Sequence, residues 1–369
     1  MEADVPPVAT LSSVAGRMER RKPGKAAKPT IADVAALAGV SVSAVSKVVN
    51  DRGGISAPTR KRVLDAAAKL RWSPSATAVA LRGARTRAIG MVAGRSADVL
   101  ATDPHFTLLI SGIERELAPA DFGLLLHIVG EEPGAEERAY RRLAEERRVD
   151  GVILTESRIG DPRFELLRQL RLPAVLVGEP WQEDPVASVG ADDQEAGLRE
   201  AVRHLLEWGH RRIAYVSGPE DRVHTVYRRR VFTSALAERG LRPFRVLVSD
   251  FSAQDAVAAT RELLAADAAE RPTAILFAND TMAVAGMNAA RRLGFDVPGD
   301  LSVLGHDDLP LGELVFPQLT TVAQDVEALG RAAAVEMFRQ LDLPHSPPPA
   351  IRPPTLIPRE STGPVADGS

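Results

Sequence analysis

The sequence predicts a multidomain chain: a small all-α helix-turn-helix head followed by a two-lobed α/β core of doubly wound parallel sheets. Three observations carry this. The stretch TIADVAALAGVSVSAVSKVVN, residues 30–50, holds two helical patterns separated by a two-residue turn. From Ala88 onward, strand and helix patterns alternate in two successive sets. The charge is also divided: Met1–Arg87 carries 16 Lys and Arg against 6 Asp and Glu, net +10, while the remainder is −13. A basic head on an acidic body suggests that the head alone meets a polyanion.

Residues 1–29 mix Pro, Gly, Ala and charge (RMERRKPGKAAKP) without periodicity and read as a disordered basic arm. The head domain spans 30–74. Thr30 with Asp33 makes an acidic variant of the capping box, and Ile31, Val34, Ala35 and Ala38 share one helical face. Gly39 supplies a left-handed C-terminal residue. Ser41 then caps a second helix reaching about Asn50, and Ser56 caps a third through about Leu70. The second helix carries Ser41, Ser43, Ser46 and Lys47 but no acid, so it suits a negatively charged surface better than its own protein. Residues 75–87 follow Pro74 and form a hinge: Ser75–Leu81 is barely two turns and needs a partner to be helical.

The core spans 88–362. AIGMVAG, LLLHIVG, GVILT and AVLVGE read as strands, with helices around Thr107–Leu117 and Glu136–Arg148 and from Phe164. A second set runs from the helix Gln194–Trp208 through RIAYVSGP, Arg229–Arg239, FRVLVSD, Ala256–Leu264, AILFAND, Met282–Leu293 and LSVLGHDD. Two such units imply two lobes and a cleft, with ligands off the carboxyl ends of the strands. HSPPPAIRPP is a Pro-rich connection to the extended stretch TLIPRES, and 363–369 is a tail. Composition bounds the rest. Aromatics are only 4%, so the cores are built from Ala, Val and Leu. The absence of Cys excludes a disulfide framework and thiolate-held metals, and fits a reducing compartment. No apolar run approaches the roughly 18 residues of a membrane span, and the first 30 residues lack the apolar core of a signal peptide. The expectation is a cytoplasmic protein with no membrane partner.

Taken with SAPTRKRVLDAAAKLRWSPSATAVALRG, the head resembles that of a LacI/GalR-family transcriptional regulator. The body agrees: DPHFTLLISGIERE, VDGVILT, EWGHRRIAYVSGP, AILFANDTMAVAGMNAARRLGFDVPGDLSVLGHDD and LTTVAQDVEALGRAA resemble family blocks in family order, from about Thr30 to Thr362. The resemblance implies a DNA-reading head, a hinge helix and a core of the type I periplasmic-binding-protein kind. It also implies a nucleoid-associated homodimer that binds a near-palindromic double-stranded operator and responds to a small effector in the inter-lobe cleft, most simply as a repressor.

By motif position the base-reading residues are Val42, Ser43 and Lys47. Lys47 can donate to guanine O6 and N7, with less discrimination than the arginine fork common in the family. Val42 offers a surface for a thymine methyl, and Ser43 is a permissive reader. An ordinary solvated face is the alternative for Ser43 and Lys47. Thr30, Ser41, Ser46, Asn50, Ser56 and Thr59 are placed, as in the family, to donate to phosphates, which positions without specifying. In the hinge, Leu81 matches the leucine that wedges into the minor groove. Ala78 matches a small position between two hinge helices, and Arg82 with Arg85 would neutralise phosphates.

Family positions for effector contacts fall on Phe106, Leu109, Thr155, Arg228, Phe251, Asn279, Asp307 and Gln324. A carboxylate, two amides and an arginine suit a hydroxyl-rich ligand such as a sugar. Three successive arginines, Arg228–Arg230, would also suit a phosphorylated or acidic one. Simple helix capping is the alternative for Asn279 and Asp307. Val231 stands where the family often has glycine, His306 where many members have tyrosine, and Gly178 beside Glu179 where an aspartate is common.

No enzyme reading survives. His204 and His210 lack the spacing and third ligand of a zinc site, GMVAG and VSGP lack the lysine of a phosphate loop, and Gly-x-Ser-x-Gly does not occur. Neither a catalytic residue, a cofactor nor a metal is expected. The remaining alternatives are a transporter's solute-binding protein without a DNA role, which needs export and no basic head, and an activator, which sequence does not distinguish from a repressor.

Overall fold

In the computed structural model Thr30 opens the first helix as its spacing predicts: its hydroxyl accepts from the Asp33 amide, and the Asp33 carboxylate accepts from the Thr30 amide at 2.7 Å. The structure describes residues 29–49, 53–72, 85–95, 104–130, 132–182, 186–267 and 270–365. They fall into two units divided between Arg82 and Gly83. Asn50, Ala78, Leu81 and Arg82, most of the hinge and nearly all of the arm lie outside the described residues.

The head consists of α1 (Ile31–Ala38), α2 (Val42–Val49) and α3 (Ala57–Lys69). Gly39 ends α1 at φ 65°, the left-handed turn that lets α2 begin three residues later. Ser41 caps α2, its hydroxyl accepting from the Ala44 amide at 3.2 Å. Ser56 occupies the capping position of α3 but makes no cap bond; its hydroxyl donates to Thr59 Oγ1 at 3.0 Å. The Thr59 side chain, rather than the Thr59 amide, is its partner. Val34, Ala35, Ala38, Val45, Val48, Val63 and Ala66 close one core from all three helices.

The second unit has two sheets. In the first lobe β1 (Ala88–Ala93), α4 (Pro104–Leu117), β2 (Gly123–Ile128), α5 (Ala135–Glu145), β3 (Gly151–Leu154), α6 (Pro162–Leu170), β4 (Ala174–Val177) and β5 (Ala187–Val189) build a parallel sheet ordered β2-β1-β3-β4-β5. The second lobe holds α7 (Ala196–Glu207), β6 (Ile213–Ser217), α8 (Val223–Ala237), β7 (Arg245–Val248), α9 (Ala253–Leu264), β8 (Ala274–Phe277), α10 (Asp280–Arg292), β9 (Ser302–Asp307), α11 (Leu311–Leu314) and β10 (Thr320–Ala323). Its sheet is ordered β11-β10-β9-β8-β6-β7, with β11 (Thr355–Ile357) antiparallel to β10 and the other pairings parallel. Between β10 and β11 the chain returns to the first lobe as α12 (Val326–Gln340), whose Ala333, Ala334, Met337 and Phe338 pack with Ile89 and Ile113. Helices α4 and α12 cross at Gly112 and Gly330, where an added Cβ on either would collide with the other helix's backbone.

One expectation is corrected. The helix read from Arg229 starts at Val223, because Arg222 offers no side-chain cap to announce it. Val231 lies buried inside that regular helix, so the missing glycine leaves the backbone undisturbed.

The C-terminal segment is pinned to the second lobe by His210. Its Nε2 donates to the Gly363 carbonyl at 3.0 Å, and Nδ1 lies 2.9 Å from the Thr273 hydroxyl. Burial pushes His210 down to about 4, below the ordinary 6.5 of the unfolded chain. A base whose pKa is depressed on folding contributes stability that is complete above pH 6.5 and is lost as pH falls toward 4. We expect this group to remove about 3 kcal/mol over that window. His210→Ala should therefore have a flatter acid limb than the wild type in melting curves at pH 7 to 4; parallel limbs would contradict the assignment.

Candidate functional site

Helix α2 buries Val45 and Val48 and leaves Val42, Ser43 and Lys47 exposed, so all three expected base readers share its outer side. No acidic residue lies on α2. The expected phosphate donors are partly occupied. Thr30 Oγ1 donates to Asp33 at 2.8 Å, and Ser41 and Ser43 share a hydrogen bond at 3.1 Å. Ser56 and Thr59 bond to each other, and Ser46 is half-buried. These bonds hold exposed hydroxyls and are exchangeable for bonds to a phosphate at small net cost. Outside the head, Arg85 donates to the Leu341 carbonyl rather than standing free.

In the second unit a cavity of about 200 Å³ lies between the lobes. It is lined by all eight expected effector positions: Phe106 and Leu109 of α4, Thr155 after β3, Arg228 of α8, Phe251 after β7, Asn279 after β8, Asp307 closing β9 and Gln324 after β10. The parallel strands bring these carboxyl ends to one place, which is why residues up to 218 positions apart in sequence face one space.

Asp307 is the polar centre. It is buried, accepts from Gln324 Nε2 at 2.5 Å, and has His105 Nδ1 of the opposite lobe 3.6 Å away. Burial would raise its pKa; the nearby His105, His306 and Arg228 outweigh that and hold it at about 2. Asp307 is thus a carboxylate at every physiological pH. It caps no helix: α11 begins four residues later, behind Pro310. Asn279 does cap α10, its Oδ1 accepting from the Met282 amide at 2.7 Å, which leaves its NH₂ group free to donate to a ligand.

Of the three successive arginines, only Arg228 enters the cavity, donating to the Ala278 carbonyl at 3.2 Å. Arg229 pairs with Glu220, and Arg230 lies 5.9 Å over the Tyr227 ring. The idea of three cleft arginines drawn from this run is therefore corrected, because helical geometry turns consecutive side chains about 100° apart. Phe251 is held in place: φ is 71°, its ring stacks on His224 at 5.7 Å, and the Arg95 guanidinium lies 5.0 Å above it. Gly218 has no room for a Cβ beside that ring. His306 is also in the lining, and burial followed by the charge of Arg228 pushes it down to about 3, so it faces the cavity neutral.

The loop after β3 is set by a buried ion network. Arg163, 4% exposed, donates to Asp161 and to the carbonyls of Thr155 and Glu156 at 3.1 Å each. Glu136 pairs with Arg158, and Arg95 with Glu156. Beyond the loop, backbone bonds join the lobes: Val223 N–H donates to Ser157 O at 3.0 Å and Ile159 N–H to Asp221 O at 2.9 Å.

Sequence reasoning missed Arg95, His105, Glu156 and His224 in this lining. His224 lay hidden in the unannounced first turn of α8, and Arg95 and His105 carry no local signal. Gly178 and Glu179, noted as departures, do line the cavity.

Two family models match. Residues 30–75 fit that of bacterial regulatory proteins, lacI family, and residues 202–362 fit a periplasmic binding protein-like domain. The transcriptional repressor PurR of Photobacterium profundum is 35% identical over 308 residues, covering 82% of this chain and 89% of that protein. The transcriptional regulator CelR of Thermobifida fusca is 35% identical over 321 residues, covering 86% and 92%. Among solved structures, the lac repressor dimer bound to operator and the anti-inducer ONPF matches with a TM-score of 0.79 at 28% identity, covering 91% of this chain and 99% of that one. A CelR–cellobiose complex matches at 0.68 and 33%, covering 90% and 99%.

Proposed function

The chain belongs to the lacI family of bacterial regulatory proteins, and on that premise we propose that it is an effector-controlled repressor, acting at the nucleoid as a homodimer on a near-palindromic operator. The observation that carries the effector half is the convergence of Asp307, Gln324, Asn279 and Arg228 on one cavity between two lobes. These four side chains, one fixed carboxylate, two amides and one arginine, match a ligand rich in hydroxyls, which both donates and accepts. For a strongly anionic effector the cavity offers Arg228, Arg95 and Arg352, but Asp307 stands beside the first, and the other two are bonded to Glu156 and Asp325. The DNA half rests on α2, whose outer side is Val42, Ser43 and Lys47 without an acid. The dimer is supported by Leu314 and Phe316, which are 85% and 74% exposed and suit a partner's apolar surface better than water. Phosphate contact by Thr30, Ser41, Ser46, Asn50, Ser56 and Thr59, and minor-groove insertion by Leu81 with Ala78 and Arg82 beside it, complete the reading.

Lys47→Ala is expected to relax preference at one symmetric base pair per half-site by about 1–3 kcal/mol. A uniform loss over all duplexes would make Lys47 a phosphate contact instead. The cleft is tested by a thermal-shift screen of sugars, nucleobases and sugar phosphates against the full chain. A neutral hydroxyl-rich compound should raise the melting temperature of the wild type but not of Asp307→Ala. A response to sugar phosphates alone would overturn the ligand class, and equal shifts in both proteins would remove Asp307 from the site.

A further inference from the structure

We propose that Asp280 is a positioning residue: it holds the Asp307–Asp308 corner in place and thereby aims Asp307 into the cleft. This rests on the reading of Asp307 as an effector contact. The corner needs holding. Asp307 has φ 113° and Asp308 φ 55°, both in the left-handed region that is unfavourable for residues with a Cβ. Two such residues in succession, at the end of a strand, relax unless other parts of the fold impose them.

Asp280 is fully buried at the first position of α10. Its carboxyl does not serve its own helix, whose N-terminus is already capped by Asn279. Instead Oδ2 accepts from the Leu309 amide, 29 residues on, at 2.7 Å, and Oδ1 bonds to the Thr321 hydroxyl of β10. The same Thr321 hydroxyl accepts from the Asp308 amide at 3.4 Å. Gly305 of β9 makes the room, since a Cβ there would collide with Asp280 Oδ1. One carboxyl thus joins α10, β10 and the exit from β9 directly behind Asp307.

The charges facing this group are Asp307 and Asp308 on the corner, with Arg359 bonded to Asp308 at 2.7 Å, and His105, His306 and Arg228 around Asp307. Burial, followed by the Asp307 charge, pushes Asp280 up to about 8. The pair therefore divides its roles: Asp307 ionised toward the cleft, Asp280 protonated behind it. An acid whose pKa is raised on folding contributes stability that is complete below its unfolded value near 3.8 and is lost as pH rises to about 8. Asparagine reproduces the protonated form, with its oxygen toward Leu309 and its NH₂ toward Thr321, and lacks that pH dependence.

The test uses the full chain as wild type, Asp280→Asn, Asp280→Ala and Gly305→Ala, with crystal structures of each and melting curves from pH 4 to 9. Asp280→Asn should keep the corner, and its melting temperature should gain on the wild type from pH 4 to about 8 and then run parallel. Asp280→Ala should release Leu309 and turn Asp307 away from Gln324. Gly305→Ala, which displaces the carboxyl without removing it, should move the corner in the same way and covers the case in which the alanine variant does not fold. Cellobiose is the affinity probe: about tenfold weaker binding is expected in Asp280→Ala and little change in Asp280→Asn at pH 7. A corner unmoved in both Asp280→Ala and Gly305→Ala overturns the proposal. If the corner moves but Asp307→Ala leaves ligand binding unchanged, positioning stands and the effector reading of Asp307 falls.

Discussion

Arg163→Met is expected to destabilise the second unit by about 3–5 kcal/mol, the cost of removing one member of a buried ion cluster. The guanidinium is 4% exposed and the Asp161 side chain fully covered. With it gone, Asp161 keeps its bonds from the Arg158 and Arg163 amides but loses its cation, and Glu136 loses one of two nearby arginines. The carbonyls of Thr155 and Glu156 lose their shared donor as well. Asp161 is held below the usual carboxylate range because Arg163 outweighs its burial, so the loss should be largest at neutral pH and smaller in acid, where the carboxyl is protonated. Chemical denaturation at pH 7 checks this. A loss under about 1 kcal/mol would mean that water reaches the network and that it does not set the loop carrying Thr155.

Asp307→Ala is expected to weaken effector affinity by about 2–3 kcal/mol, some 30- to 150-fold, while leaving operator binding without effector unchanged. Asp307 is a carboxylate at all working pH values, so each ligand hydroxyl that donates to it makes a charge-assisted bond. The substitution also unties Gln324, which spans the crossing from β10 to α12, so the response and the affinity should fall together. Isothermal titration with the screened ligand, paired with operator binding by anisotropy, separates the two effects. Loss of thermal stability with unchanged affinity would show instead that Asp307 serves the fold.

The sequence displayed the head almost completely, because its signals are local: Thr30 with Asp33, Gly39, and Ser41 each act within one turn of a helix. The parallel lobes were legible from alternation alone. Less visible were features made by distant chain segments. The return of α12 to the first lobe, packed through Gly112 and Gly330, has no signature in either segment alone. Nor does Arg163, since a buried arginine looks like a surface one until its partners are known. The start of α8 escaped notice for want of a cap, and with it His224. Asp280 stands beside Asn279, whose capping alternative is legible in the sequence; only the fold shows that Asn279 caps while Asp280 reaches Leu309.

Selection from random duplexes of about two helical turns, sequenced after several rounds at physiological salt, tests most directly whether the chain is a dimeric reader of a specific duplex. Enrichment of one near-palindrome is the predicted result. In a parallel selection with Lys47→Ala, degeneracy should spread to one symmetric position in each half. Binding without enrichment, falling steeply with salt and equal on all sequences, would contradict a specific reader: the basic head would then hold DNA by its phosphates alone.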